Sequence, residues 1–132
     1  MKSLDELLQM NEDERAIYLC RKGMQLKKRL PREYENFILL NPYWAYIYSK
    51  MIIKGRWKEA EEIIIKNPEA AVYYAKDIIG GRWKEAEEFI MKSPQYAYFY
   101  AYWIKGRWIE AEEYIKKNPV WWKLYVAQVI LR

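Results

Sequence analysis

Histidine and threonine are absent from this chain of 132 residues, and cysteine occurs once. Without histidine, neither a Ser–His–Asp triad nor a Cys/His metal site can be assembled. Glycine is also scarce, with five residues, and none of them forms a glycine-rich phosphate loop. We therefore expect a protein that is not an enzyme and that uses no metal or cofactor.

Long apolar runs are missing as well. The longest uncharged run, residues 36–49, is too short to cross a bilayer, and the first residues lack the basic end and apolar block of a signal peptide. The single Cys20 cannot close an intramolecular disulfide. These features predict a cytoplasmic protein with no membrane partner.

The residues that are present indicate a packed protein. Hydrophobic residues make up 52% and aromatic residues 17% of the chain, far above the content of a disordered chain. The net charge of +5, from 23 Lys and Arg against 18 Asp and Glu, assists binding of an acidic partner. It is too small to indicate nucleic acid by itself.

A stretch that reads Gly-Arg-Trp-x-Glu-Ala-Glu-Glu occurs three times, at residues 55–62, 81–88 and 106–113. A second marker follows the same period, and it consists of the pairs Asn41-Pro42, Asn67-Pro68, Ser93-Pro94 and Asn118-Pro119. A fixed period of about 26 residues is typical of stacked repeats. The sequence therefore predicts an all-α fold, an α-solenoid of short helical hairpins.

Each repeat is expected to contain two helices. Helix A begins at the Asn-Pro or Ser-Pro pair, because Asn and Ser cap helix N-termini and proline suits the first helical position. It ends at the glycine, and helix B begins at the tryptophan. We expect one domain, with an N-terminal helical cap and a degenerate first repeat at 1–41, three regular repeats at 42–118 and a terminal half repeat at 119–132.

Offsets from each proline separate the faces of helix A. Offset +6 is always tyrosine, and it shares a face with small or apolar residues at +3 and +10, so we expect it in the core. The tyrosines are Tyr48, Tyr74, Tyr100 and Tyr125. The last helix has no helix B after it, and we expect it to be covered, for example in a homodimer.

Offsets +4 and +8 are predicted to point away from this core. They carry an aromatic and lysine stripe that is typical of a protein-recognition surface: Tyr46, Lys50, Lys76, Tyr98, Tyr102 and Lys123. The alternative is a thickly packed array with tyrosines that reach its surface.

Basic residues collect at the turns between helices A and B, where stacking would align them along one edge. They are Lys27, Lys28, Arg29, Arg56, Arg82, Lys84 and Arg107. Such an edge could follow a nucleic-acid backbone. Alternatively, the cations complement the C-terminal dipole of helix A, and the glutamates of helix B neutralise them.

The Gly-Arg-Trp-x-Glu-Ala-Glu signature, with its following Asn-Pro pair, resembles a short helical-hairpin repeat of small proteins from tailed phages and mobile elements. The resemblance covers about residues 42–119, and the family pattern often has proline where this chain has Lys58, Lys84 and Ile109. The Asn-Pro spacing is also similar to leucine-rich variant repeats. The resemblance implies a protein-binding module, such as a phage-encoded inhibitor of a host defence protein. Nucleic-acid binding is the alternative function.

Overall fold

A computed structural model describes all residues from Met1 to Arg132, and every regular element in it is helical. The chain divides into two compact units, unit 1 at Met1–Ile64 and unit 2 at Ile65–Arg132. Short helices pack as hairpins within each unit, so the predicted all-α fold of helical hairpins is confirmed. The single continuous domain stays a prediction.

The helices of unit 1 are α1 (Leu4–Leu8), α2 (Glu12–Leu26), α3 (Arg32–Ile38), α4 (Pro42–Tyr48) and α5 (Lys58–Ile64). Those of unit 2 are α6 (Pro68–Tyr74), α7 (Lys84–Ile90), α8 (Pro94–Tyr100), α9 (Ile109–Ile115) and α10 (Pro119–Tyr125). Helices α4, α6, α8 and α10 are helices A, and each continues into a π-helical extension. The extensions are Ser49–Ile53, Ala75–Ile79, Ala101–Lys105 and Val126–Ile130. No helix is long and apolar enough to cross a membrane.

The helix starts follow the sequence signals closely. Ser3 and Glu6 form the capping box of α1. Asparagine side chains accept hydrogen bonds from main-chain N–H groups in the first turn of α2, α4, α6 and α10. Ser93 occupies the same position before α8, but its hydroxyl makes no cap hydrogen bond. The main-chain geometry and the proline therefore start α8 without a side-chain cap.

The ends of the helices A differ from the sequence prediction. The left-handed residue is not Gly55 or Gly81 but the residue before each, Lys54 with φ 60° and Gly80 with φ 80°. The main-chain N–H of Lys54 donates to the carbonyl of Ser49, five residues earlier, and Gly80 donates to Ala75 in the same way. This wide π-helical turn ends helix A at Lys54 and Gly80, one residue before Gly55 and Gly81. The third repeat is one residue shorter between its proline and its Arg-Trp pair. Gly106 occupies the position of Lys54 and Gly80 there, with φ 84° and ψ −157°, and no residue equivalent to Gly55 or Gly81 follows it.

The repeated tyrosine is the centre of each hairpin. Tyr48, Tyr74, Tyr100 and Tyr125 are fully buried. The ring of Tyr100 lies 5.1 Å from that of Trp108, and Tyr48 and Trp57 are related in the same way at 5.0 Å. Alanines at offset +3 are also fully buried and leave room for these rings. The expected core position of the tyrosines is confirmed.

The tyrosine hydroxyls are also hydrogen-bonded inside the protein. The main-chain N–H of Trp83 donates to Tyr100 Oη at 2.9 Å, and this hydroxyl donates to Glu87 Oε2 at 2.6 Å. Tyr125 makes the same pair of bonds with Trp108 and Glu112, both at 2.8 Å. Tyr100 and Tyr125 therefore each join the turn and helix B of the preceding repeat to their own helix A.

Candidate protein-binding surface

The residues of the predicted aromatic and lysine stripe differ in solvent exposure. Tyr46 and Tyr98 are only 5% and 6% exposed, so the expectation that offset +4 points away from the core is wrong for them. In unit 2 the reason is visible, because α8 packs beside α10 and the Tyr98 ring lies 5.8 Å from that of Trp121. The side of helix A that carries offset +4 is thus covered by a neighbouring helix. Burial raises the pKa of the Tyr98 hydroxyl.

The other residues of the stripe are exposed. Lys50, Lys76, Tyr102 and Lys123 all reach the surface, and Tyr102 is 38% exposed. Of these four, the structure brings Lys76 and Tyr102 to the π-helical extensions of α6 and α8 in unit 2. Lys123 lies on α10 and Lys50 on the extension of α4 in unit 1.

Aromatic rings in unit 2 cluster around Trp103. Trp103 is 38% exposed, and its ring stacks on Phe99 at 4.7 Å with an interplanar angle of 14°. The ring of Tyr73 lies 6.2 Å from that of Trp103. These contacts hold a large, amphipathic ring in a fixed orientation at the surface, which lowers the entropy that it loses on binding.

Two cations lie on exposed aromatic rings of unit 2. Lys76 Nζ is 4.8 Å from the centroid of the Trp103 ring. The Arg132 guanidinium lies 5.5 Å from the Tyr102 ring and donates to its hydroxyl at 2.9 Å. Cation–π contacts of this kind orient both the ring and the charge. We refer to these residues as the aromatic surface: Tyr73, Lys76, Phe99, Tyr102, Trp103 and Arg132.

The aromatic surface also has a concave part. An open cavity of about 420 Å³ lies between the extensions of α8 and α10, and Tyr102, Gln128 and Arg132 line it. A side chain of a partner can enter such a cavity beside an exposed aromatic ring, which is the usual arrangement at the centre of a protein interface.

Sequence reasoning missed Trp103, which lies at offset +9. This offset is Met51, Asp77, Trp103 and Gln128 in the four helices A, so no repeated residue type marked it as a surface. The available signal was the aromatic content of residues 96–103, which exceeds what the core offsets need. Arg132 lies far from Tyr102 in the sequence, and nothing in the repeat indicated their contact.

The predicted basic edge is exposed, but its arginines are bound to carboxylates. Arg82 donates to both oxygens of Glu87 at 2.9 and 3.0 Å. The same two-bond arrangement joins the pairs Arg29 and Glu35, Arg56 and Glu61, and Arg107 and Glu112. Because each guanidinium already has a carboxylate, its charge is largely compensated for a phosphate partner.

These carboxylates belong to the tyrosine network. Burial opposes ionisation of Glu87, but hydrogen bonds from Arg82 and Tyr100 outweigh it and hold the pKa of the carboxyl below its usual value. Glu112 has a lowered pKa for the same reasons, with Arg107 and Tyr125 as donors. Arg82 and Arg107 of the basic edge therefore stabilise the ionised carboxylates to which the buried tyrosines donate. Lys27, Lys28 and Lys84 are the exposed lysines of the edge.

No group of three His, Cys, Asp or Glu side chains is close enough to hold a metal ion. Cys20 is fully buried, and burial raises the pKa of its thiol to about 12, so it is protonated at neutral pH. The chain matches no protein-family model, no curated protein and no solved structure.

Proposed function

We propose that the protein is a non-enzymatic protein-binding module that contacts its partner through the aromatic surface of unit 2. The observation that carries this proposal is Trp103, a tryptophan that is 38% exposed yet fixed by stacking on Phe99 and by Lys76. Tryptophan, tyrosine and arginine are the residue types that contribute most to protein interfaces. Trp103 and Tyr102 on the extension of α8, with Arg132 on the Tyr102 ring, supply all three types in unit 2.

The modest net charge of +5 is compatible with binding through an aromatic surface. Protein partners are bound mainly by desolvation of apolar and aromatic area, and surface cations such as Lys76 mainly steer approach. Nucleic-acid binding along the basic edge is less well supported, because its arginines are held by carboxylates. The resemblance to repeats of phage proteins extends the proposal to the inhibition of a host protein in the cytoplasm.

The test is an affinity capture with matched variants. Wild-type protein and the variants Trp103→Ala, Tyr102→Ala and Ile109→Ala are used as bait in host lysate, with and without nuclease. Ile109 is 67% exposed and lies outside the aromatic surface, so its variant is the control. We expect wild type and Ile109→Ala to capture one protein that both aromatic variants lose.

The captured protein is then purified and its affinity for each variant is measured. Loss of a central aromatic anchor is expected to weaken binding by at least about 2 kcal/mol, roughly thirtyfold, in variants that circular dichroism shows to be folded. Full affinity in Trp103→Ala and Tyr102→Ala would contradict the proposal. So would capture that disappears with nuclease, since nucleic acid would then be the ligand.

A further inference from the structure

Two lysines in unit 1 have a backbone conformation that favours glycine. Lys27 has φ 55° and ψ 38°, and Lys54 has φ 60° and ψ 41°; no other residue except glycine has a positive φ. An L-residue is strained in this left-handed region, whereas glycine adopts it freely. The positions equivalent to Lys54 in unit 2 are Gly80 and Gly106. Folding alone therefore favours glycine at these turns, and lysine needs another explanation.

Both strained lysines border the same groove. An open cavity of about 540 Å³ separates the C-terminal end of α2 from the π-helical extension of α4, and it is lined by Met24, Lys27, Met51, Ile52 and Lys54. Met24 and Met51 are 37% and 45% exposed. Methionine side chains are flexible and polarisable, and they adapt to different apolar partners.

The floor of the groove is fixed by a close helix contact. Gly23 of α2 is buried, and a Cβ atom at this position would lie 2.8 Å from Cδ1 of Ile52. The absence of a side chain at Gly23 thus lets the extension of α4 approach α2 closely. Ile52 lines the groove together with Met24 and Met51, so its lining is apolar apart from the two lysines.

The charged side chains that line the groove have one sign. No acidic residue lines it, and its two charged lining residues are Lys27 and Lys54. The nearby Arg29 is already bound to Glu35. An occupant that fits this lining presents apolar groups to Met24, Met51 and Ile52 and negative groups to Lys27 and Lys54.

We propose that this groove binds an acidic amphipathic peptide segment of a partner protein. Its apolar side chains pack on Met24, Met51 and Ile52, and its carboxylates pair with Lys27 and Lys54. The groove lies in unit 1, so the inference stands without the aromatic surface of unit 2. It assigns a second site with its own ligand chemistry to the protein.

The test uses a fluorescent short peptide of alternating glutamate and leucine, with the full-length protein and binding measured by anisotropy. Lys27→Gly with Lys54→Gly is expected to raise the melting temperature, because glycine relieves the strained backbone, and to weaken peptide binding roughly tenfold through loss of two ion pairs. Met51→Glu is expected to abolish binding, since it places a like charge on the floor of the groove. Lys92→Gly, at an exposed turn of unit 2, is the control and should leave the affinity unchanged.

In the double lysine variant we expect the melting temperature to rise and the peptide affinity to fall. These opposite changes distinguish a binding role of the two lysines from a purely structural one. If the lysines only stabilise the C-terminal ends of their helices through a charge–dipole interaction, removal of their charge lowers stability and leaves peptide binding unchanged. That result would overturn the proposal, as would failure of wild type to bind the acidic peptide. Lys54→Asn, which keeps a side chain tolerant of the left-handed region, provides a second variant and should also lose affinity. Preferred binding of an oligothymidylate, lost in the same double variant, would reassign the groove to phosphate.

Discussion

Tyr100 and Tyr102 are two residues apart at the end of one helix A, and their environments are opposite. Tyr100 is fully buried, packs on Trp108 and has its hydroxyl bound to Trp83 and Glu87. Tyr102 is 38% exposed, and its hydroxyl accepts a hydrogen bond from Arg132. The repeat position, and not the residue type, thus decides whether a tyrosine holds the fold together or is available to a partner.

The largest expected effect is the truncation of a buried tyrosine. Tyr100→Ala should lower the free energy of unfolding by about 3 to 5 kcal/mol, because it leaves a cavity beside Trp108 and removes the partner of a buried N–H group. Tyr102→Ala is the matched control and should cost less than about 1 kcal/mol. Urea denaturation measures both. Equal losses would remove the distinction between the two positions.

A smaller loss is expected when the carboxylate of the network is removed. Glu112 is 8% exposed and accepts from Arg107 and Tyr125, so Glu112→Ala leaves the buried hydroxyl proton of Tyr125 without its acceptor. The cost should be about 1 to 3 kcal/mol. Glu113→Ala, at the exposed neighbour, should stay within about 0.5 kcal/mol. A neutral Glu112→Ala in thermal unfolding would show that the carboxylate is not a structural member of the repeat.

The glycines of the turns provide the next comparison. Gly106 has φ 84° and ψ −157°, a region that is essentially restricted to glycine, so Gly106→Ala should cost about 1 to 3 kcal/mol. Gly81 has no positive φ and no atom near an added Cβ, and Gly81→Ala should be neutral or slightly stabilising. Melting temperatures of the two variants decide between them. A tolerated Gly106→Ala would mean that the shortened third turn can relax.

The smallest expected effect is a loss of stability at high pH, and it concerns the buried tyrosine hydroxyls. Burial, together with the hydrogen bond to Glu112, raises the pKa of Tyr125 from 10 to about 12. Because the folded state holds this proton more tightly, the stabilisation is complete below pH 10 and is lost as the pH rises toward 12. Urea midpoints across this range should fall, and they should fall less steeply in Tyr125→Phe. An identical slope in that variant would assign the loss to other groups.

The sequence predicted the parts of this molecule that repeat. The Asn-Pro starts, the tyrosine at offset +6 and the helix B that follows each tryptophan recur with a regular period, so their roles could be inferred together. The π-helical extensions could not be predicted, because they depend on main-chain bonds at the helix end and move the left-handed residue from Gly55 to Lys54. The repeat itself gave no signal for this shift.

The candidate surfaces were harder to predict for a related reason. Which sides of a helix A are buried depends on the helices that pack against it. The burial of Tyr46 and Tyr98 shows that offset +4 is covered, although it lies outside the tyrosine face. Trp103 and the groove between Met24 and Met51 occur once each, so no period marked them. Trp103 and the groove break the repeat, whereas the burial at offset +4 recurs in it and was still not predicted.

The contrast between Tyr100 and Tyr102 is tested most directly by removing the hydroxyl oxygen of each. Tyr100→Phe keeps the buried ring but deprives the Trp83 N–H and the Glu87 carboxylate of a partner. We expect it to lower the free energy of unfolding by about 1 to 3 kcal/mol. Tyr102→Phe loses only a surface hydrogen bond to Arg132 and should change stability by less than about 0.5 kcal/mol. Equal effects of the two substitutions in urea denaturation would contradict the structural role of the repeated tyrosine hydroxyl.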